Sequence, residues 1–544
     1  MDWLIGGVGL VVGFSTLVFV HELGHYIFAK WNGVRVKVFS VGMGPYLLSF
    51  SRGGTIYVLS MVPVGGYVKM LGQEDLNADP EASKDPGDYR SKRPGQRAAI
   101  LAAGAFFNLI FAFFAFTCCY YFGVELQSPR VGKVAPNSPV ANARVQLGLD
   151  QYMDAPLREG DRITSVDGVP VFNFMDITLQ VAGASTEQNI QIMYERLNHK
   201  GEWEQAREPV FVIPKRDEKL GATSLGIRPY IKQVGYALGF EARPQGVYVA
   251  ETPAPKSAAG AAGILKGDRL LSIDGLAVED PDTLIDAVGA AEGKSQKLII
   301  LREGLEQTVE VAARKDEKEK VWRLGIGMLF QHKVQRIDAG CEAYQKGLRE
   351  GYWIAGLVRL SNEREVELAF HEKLLETEAL TKIVVPKETK TGDAGLQYWV
   401  RQMEYEKVKL GTFVEALSLA WTDLIRHSFA VFGVLKGLLT GRVGFTALSG
   451  PAGIATMTAS VAIERDFMFY VWFLAFLSVN LGVLQFVPIP LLDGWHLVII
   501  GVEKLKGSPV AAKVQEYFLY AGLFIILSLL IFATKNDIMR FFIK

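Results

Sequence analysis

Three ionisable residues within five positions, His21-Glu22-Leu23-Gly24-His25, carry the sharpest chemical signal in the chain. On a helix, positions four apart share a face, so both imidazoles can ligate one cation. Glu22 sits one position around and can reach a water on that cation. Zinc lowers the pKa of such a water to about 7, and a carboxylate can then take its proton during attack on a carbonyl. The H-E-x-x-H spacing therefore points to metal-dependent proteolysis, provided that it lies on a helix. The ordinary alternative is a helix end with polar residues facing water. What precedes the motif argues against it: Trp3 to Val20 is a run of 18 residues without a charge. Ionisable groups at membrane depth are costly and tend to be functional.

Such a site needs a third protein ligand and an open fourth position. The distant candidate is Asp493, in Pro488-Ile-Pro-Leu-Leu-Asp-Gly494, again a charge that closes an apolar run. The two prolines remove backbone donors and favour an extended approach to the aspartate. His496 is a nearby alternative, although a hydrogen-bonded or surface role suits it better.

The elements that must position these groups are apolar. Besides Trp3–Val20, which continues to Ala29, uncharged runs cover Ala98–Val124, Phe467–Leu492 and Tyr517–Thr534, with 27, 26 and 18 residues. A bilayer core needs about 20 apolar helical residues. The expectation is a polytopic α-helical membrane protein with transmembrane helices at 1–29, 98–124, 467–492 and 517–534. A cleaved signal peptide fits the first run poorly, because Asp2 replaces a basic start and no small-residue cleavage site follows. Val443–Ile463 is uncharged but rich in Gly, Ser and Thr, and reads as a loop or re-entrant segment. The loop 30–97 carries ten Lys/Arg against six Asp/Glu, which places it in the cytoplasm. The long segment between about 125 and 411 is then outside.

Composition narrows the classes further. Of 544 residues, 49% are hydrophobic, and 58 basic residues balance 58 acidic ones. That balance speaks against a nucleic-acid partner and against a disordered chain. Three cysteines, Cys118, Cys119 and Cys341, make neither a disulfide framework nor a cysteine zinc site.

The long insert repeats itself. Leu157-Arg-Glu-Gly-Asp-Arg-Ile163 followed by Thr164-Ser-Val-Asp-Gly168 returns as Leu265-Lys-Gly-Asp-Arg-Leu270 and Leu271-Ser-Ile-Asp-Gly275. Each is preceded by a Ser-led, Ala-containing stretch, at Ser138 and Ser257. The pattern reads as short helix, Gly turn, strand and Asp-Gly turn. A spacing of about 100 residues means duplicated domains rather than a solenoid. A weaker third copy, Ala343 to Ile354, lacks the Asp and the Asp-Gly turn. These repeats resemble PDZ domains, α+β modules whose groove binds an extended peptide by strand addition. The units are expected at 128–218 and 240–318, with a degenerate third at 325–405.

Two further stretches bear on the site. Thr55–Met61 and Tyr67–Leu71 flank Pro63-Val-Gly-Gly66, which suggests a hairpin within the 30–97 loop, with Gly65 and Gly66 allowing its turn. An edge strand at membrane depth could hold an unwound substrate segment, since non-helical backbone is tolerated there only against protein or a cavity. Residues 411–442 show helical apolar spacing, suited either to a membrane surface or to ordinary packing.

Taken in order, His21-Glu-x-x-His25, Pro63-Val-Gly-Gly-Tyr-Val-Lys69, Leu448-Ser-Gly-Pro-Ala-Gly453, Pro488-x-Pro-x-x-Asp-Gly494 and the tandem repeats resemble a site-2 protease family metalloprotease of the bacterial regulator-of-sigma-E protease type. The resemblance spans nearly the whole chain. It implies His21, His25 and Asp493 as ligands of Zn2+, Glu22 as the catalytic base, and Asn480, with Gly65 and Gly66, as substrate contacts. It implies a multi-pass protein of the bacterial cytoplasmic (inner) membrane, with extracytoplasmic PDZ-like domains. Such an enzyme cleaves single-pass membrane proteins, such as anti-sigma factors or signal-peptide remnants, within or near the bilayer. Three departures stand out, one being a long outer region, which fits a third PDZ-like unit or an insert. Gln485 replaces an Asn usual before Pro-x-Pro, and Gly104-Ala105 replaces Gly-Pro on the second helix, with Asn108 kept. The alternative function is a membrane peptide-binding adaptor with an inactive metal site. A transporter would show inverted repeats among its membrane segments, and none is visible.

Overall fold

The computed structural model describes the chain except residues 1, 73–84, 135–137, 149–150, 155–156, 183, 199–200, 218–221, 237, 239, 317–320, 360–364, 373–380, 387–397, 442, 445–448, 509 and 543–544. The chain divides into two compact units, one formed by 1–126 with 406–544 and the other by 127–405.

Four helices of the first unit are long and apolar enough to cross a membrane: Asp2–Trp31, Pro94–Phe122, Phe467–Gln485 and Ala512–Phe542. Pro94 opens the second, where its missing N–H costs nothing. The third ends at Gln485, earlier than the apolar run suggests. Pro488 and Pro490 cannot continue it, so Asp493 begins a separate helix, Asp493–Lys506. The stretch at 443–463, expected as a loop or re-entrant segment, is largely a helix, Pro451–Glu464, opened by Gly450-Pro451, which removes the loop reading. Its small residues serve helix contact: a Cβ on Gly9 of the first helix would strike Ala462. Leu448 of the matching motif lies outside the described residues. Asp537 of the fourth helix accepts from the Gly450 and Gly453 N–H groups at 3.0 and 2.8 Å, which caps that helix.

The Phe413–Leu439 helix is a packed element. Ala416, Leu419, Ala420 and Leu424 are buried with Phe116, Tyr120, Trp472 and Phe473 of the second and third spanning helices. A fully buried Asp423 bonds Arg426 and the Tyr120 hydroxyl, while the Trp472 indole donates to that hydroxyl at 3.1 Å.

Between the first two spanning helices run two strands, Val36–Arg52 and Thr55–Met70, each bent so that they pair more than once. The stretch 36–41 is central. Val41 faces Gly66 on one side and Leu59 on the other, and Val58 is flanked in turn by Ser49. The expected hairpin across Pro63–Gly66 is therefore not formed, because its two flanks lie on either side of 36–41. The tight turn is instead Gly53-Gly54, with φ of 58° and 75°, the pair of positive values a two-residue hairpin turn requires. The stretch 66–70 is left as an edge.

The second unit is rich in antiparallel sheet. One sheet runs in the order Gln151–Asp154, Arg144–Gly148, Val210–Val212, Ile190–Leu197, Arg162–Val166, Val169–Pro170. Its core includes Val140, Ile163, Val166, Ile177, Ile192 and Val210. The first two copies share their detail. Asp161 takes Arg196 Nε at 2.6 Å and Asp268 takes Arg302 Nε at 2.7 Å. Asp167 and Asp274, both at positive φ, each accept a backbone N–H from the neighbouring strand at 2.8 Å. Ser138 and Ser257 each accept a backbone N–H at the start of a short helix. At the third copy Cys341 does so, from Tyr344. The third stretch has its own core, with Cys341, Leu348, Ile354, Leu368 and Val385, yet it draws on Leu238 and Phe240. Phe240–Val249 pairs with Met328–Ile337, so one sheet runs through the second and third copies. Cys341 is wholly buried, and burial pushes its thiol pKa up.

Candidate metal centre

The first spanning helix places His21 and His25 on one face, as their spacing requires, and both are buried. Their Nε2 atoms lie 3.2 Å apart. Asp493 Oδ2 completes the triangle, 3.4 Å from His21 Nε2 and 3.3 Å from His25 Nε2. Among the described residues this is the one cluster of His, Cys, Asp and Glu arranged to hold a cation. Ligand bonds of ~2.0–2.1 Å at tetrahedral angles put ligand atoms about 3.3 Å apart, so the three donors fit zinc with a fourth position open. Asp493 Oδ2 is buried without a hydrogen-bond partner, as expected of an atom reserved for a cation. His496 does not join the cluster.

Asp493 is delivered by a tight loop. Leu491 adopts a φ of 84°, a left-handed conformation uncommon for a branched side chain and a mark of strained functional loops. The Leu492 N–H bonds the Ile489 carbonyl at 3.0 Å. The Asp493 N–H reaches the Gln485 side-chain oxygen at 3.4 Å. The longer amide at 485 thus still spans to the loop. Gly494 admits no side chain, since a Cβ would stand 2.5 Å from the Val487 carbonyl oxygen.

The second spanning helix backs the imidazoles. A Cβ on Gly24 would overlap the Ala103 carbonyl, and one on Gly104 would collide with His25 and approach His21 Cε1 at 2.8 Å. Only glycines let the helices meet this closely. The Ile100 carbonyl accepts from His25 Nδ1 at 2.8 Å, and the Asn108 amide lies 3.3 Å from His21 Nδ1. Gly104 and Asn108, one turn apart in an apolar run, stand out in the sequence only by comparison with the family pattern, and Ile100 does not stand out at all.

The strand 66–70 closes the other side. A Cβ on Gly66 would stand 3.0 Å from Glu22 Cγ and 2.8 Å from Val18 Cγ1. The Val68 backbone N–H is directed at the Glu22 carboxylate. Glu22 is half-buried. Gly65 instead faces Met43, 2.8 Å from its would-be Cβ, at a φ of 77°. Asn480 lies on the third spanning helix, and no hydrogen bond among the described residues links it to the three donors.

Residues 9–529 match the family described as Peptidase family M50. The regulator of sigma-E protease of Escherichia coli (strain K12) is 30% identical over 534 residues, covering 97% of each chain. Its counterpart from Salmonella typhimurium (strain LT2) is 30% identical over 532 residues, again 97% of each. A regulator of sigma E protease from Haemophilus influenzae is 26% identical over 544 residues, 99% of each.

Proposed function

The chain belongs to peptidase family M50 and is a zinc metalloendopeptidase of the membrane, and on that premise we propose that it cuts single-pass membrane proteins within or near the bilayer. The supporting observation is the triangle of His21 Nε2, His25 Nε2 and Asp493 Oδ2 with sides of 3.2–3.4 Å, bordered by Glu22 and an open strand edge. His21, His25 and Asp493 hold the metal. Zinc supplies the Lewis acidity that activates water near neutral pH and polarises the scissile carbonyl. Glu22 takes the proton from the attacking water and returns it to the departing amine. A helix hides its peptide bonds, so the substrate must unwind first. The edge 66–70 offers unpaired backbone groups for that unwound segment, and Gly66 lets it run close to Glu22. Asn480 is assigned a polar contact to the same segment.

The duplicated stretches of the second unit serve as PDZ-like modules on the extracytoplasmic side, where they filter or dock substrates and bind peptides. The 30–97 loop faces the cytoplasm of a bacterial inner membrane. The relatives' names make regulation of sigma-E the first process to test, and an anti-sigma factor is the substrate we propose for it. Purified protein reconstituted with a single-pass substrate should yield new termini inside the spanning segment. Cuts confined to water-exposed loops, with the spanning segment intact, would contradict this assignment.

A further inference from the structure

The two ligand imidazoles are held from behind by one row of the second spanning helix, at positions 100, 104 and 108. Position 104 has no side chain and lets the rings in. Position 100 offers a backbone carbonyl to His25 Nδ1 at 2.8 Å. Position 108 brings its side-chain amide, through the atom placed as Nδ2, to 3.3 Å from His21 Nδ1. We infer that Asn108 is a positioning residue for the metal, acting through His21. The inference rests on the reading of His21 as a ligand.

The chemistry follows from which nitrogen faces the cluster. His21 turns Nε2 toward His25 Nε2 at 3.2 Å and Asp493 Oδ2 at 3.4 Å. A ring nitrogen committed to a cation carries no proton, so the neutral imidazole holds its proton on Nδ1. That N–H needs an acceptor, and the Asn108 amide is the group beside it. The oxygen and nitrogen of an amide are assigned from their partners, and this proton assigns the oxygen to the position 3.3 Å from Nδ1 where the nitrogen is placed. An acceptor on the remote nitrogen fixes the tautomer and the plane of the ring, and it raises the basicity of the ligating nitrogen. The Ile100 carbonyl does the same for His25. The first ligand thus leans on a replaceable side chain, and the second on the backbone.

Asn108 is itself placed by its neighbours. It is fully buried, and its backbone carbonyl accepts from the Ser478 hydroxyl of the third spanning helix at 2.8 Å. As placed, its Oδ1 has no protein partner, and exchanging the two ends of the amide gives that oxygen the His21 N–H. A buried amide with one end unpaired is a cost that leucine, of similar size, would avoid. The contact with His21 gives the amide a purpose that packing alone does not.

The test uses the full-length protein in detergent, with zinc affinity read by competition against chelators of graded strength. Asn108→Leu keeps the volume and removes the acceptor. Asn108→Ala removes it without crowding. Asn108→Asp keeps an oxygen acceptor. The leucine and alanine variants should still bind one zinc per chain but lose roughly 10–100-fold in affinity. Their cobalt-substituted forms should show shifted visible absorption bands. The aspartate variant should hold zinc as tightly as the native protein or more so. Native affinity and unchanged bands in the alanine variant would reduce Asn108 to packing, whether or not the leucine variant folds. Equal loss in the aspartate variant would also overturn the proposal. His21→Ala separates this from the underlying assignment. Undiminished zinc binding there contradicts His21 as a ligand, whereas its loss there alongside a native-like Asn108→Ala contradicts only the positioning role.

Discussion

The two units of this chain are specified in different ways. In the membrane unit the critical positions are those where a side chain is missing. Gly24, Gly66, Gly104 and Gly494 each sit where a Cβ would meet backbone or a functional side chain. The donors they surround occur once. In the second unit the critical positions are paired polar groups, and they recur: Asp161 with Arg196 returns as Asp268 with Arg302. A site that occurs once and is set by close approach fails abruptly when one atom is added. A duplicated scaffold held by ion pairs weakens in steps and leaves distant chemistry alone. Substitutions on the two sides should therefore separate metal content from folding stability.

The largest effect is expected at the donors. His25→Ala and Asp493→Ala remove one corner of the triangle, so bound zinc should fall to background and proteolysis with it. Metal analysis beside a cleavage assay measures both. Full zinc content in either variant would remove that residue from the ligand set.

Next comes Gly104→Ala, a single added methyl. It meets both imidazoles, so the helices must separate or the rings must turn. Zinc affinity should drop by roughly 10–100-fold, the scale for disturbing groups that orient ligands. The same change at Gly433, where a Cβ meets nothing, is the matched control. Equal behaviour of the two variants would erase the contrast drawn above.

Replacing the whole second unit should touch catalysis less than selection. The ends left behind already meet, since the Leu410 N–H bonds the Tyr120 carbonyl at 2.9 Å, so a short linker can join 126 to 406. Removing only the first two copies is a poor design, because Phe240 belongs to the core of the third. We expect the joined variant to keep zinc and proteolysis while cutting substrates with bulky outer domains more readily. The comparison is one substrate with and without its outer domain, in both enzyme forms. An unchanged preference would remove the filter role.

The smallest effect on chemistry belongs to Asp161→Ala and Asp268→Ala. Each leaves an arginine that can still reach water, so the second unit should lose about 1.5–3 kcal/mol, the scale of hydrogen bonds to charged groups. Thermal or denaturant unfolding of the second unit reads this. Zinc affinity should not move, and a parallel loss of zinc would mean that the units are energetically coupled.

Much of this was legible in the sequence because spacing carries it. Positions 21 and 25 had to share a helix face, and the four apolar runs had to be helices, because length and lack of charge leave few other solutions. The Gly-Asp and Asp-Gly repeats exposed the duplication. The strand order at 36–70 was not legible: Pro63–Gly66 looks like a hairpin turn, and only the long-range pairing of 36–41 shows that its flanks are separated. The Gly/Ser/Thr-rich composition of 443–463 left loop and re-entrant segment equally open, and only the structure excludes the loop, because the small residues serve helix contact. The Ile100 carbonyl was invisible, since a backbone acceptor leaves no mark on residue type. The third copy was recognised only from Ala343 onward, because Cys341 stands at the cap where the other copies have serine.

Holding the metal and moving the proton fall to different residues in this site, and Glu22→Gln takes away the second role alone. The amide keeps the size of the carboxylate but cannot take a proton from water. Zinc content and cleavage of a single-pass substrate should be measured on the same purified sample. The account predicts one zinc per chain and no detectable cleavage. Loss of the zinc, or turnover near the native rate, would contradict it.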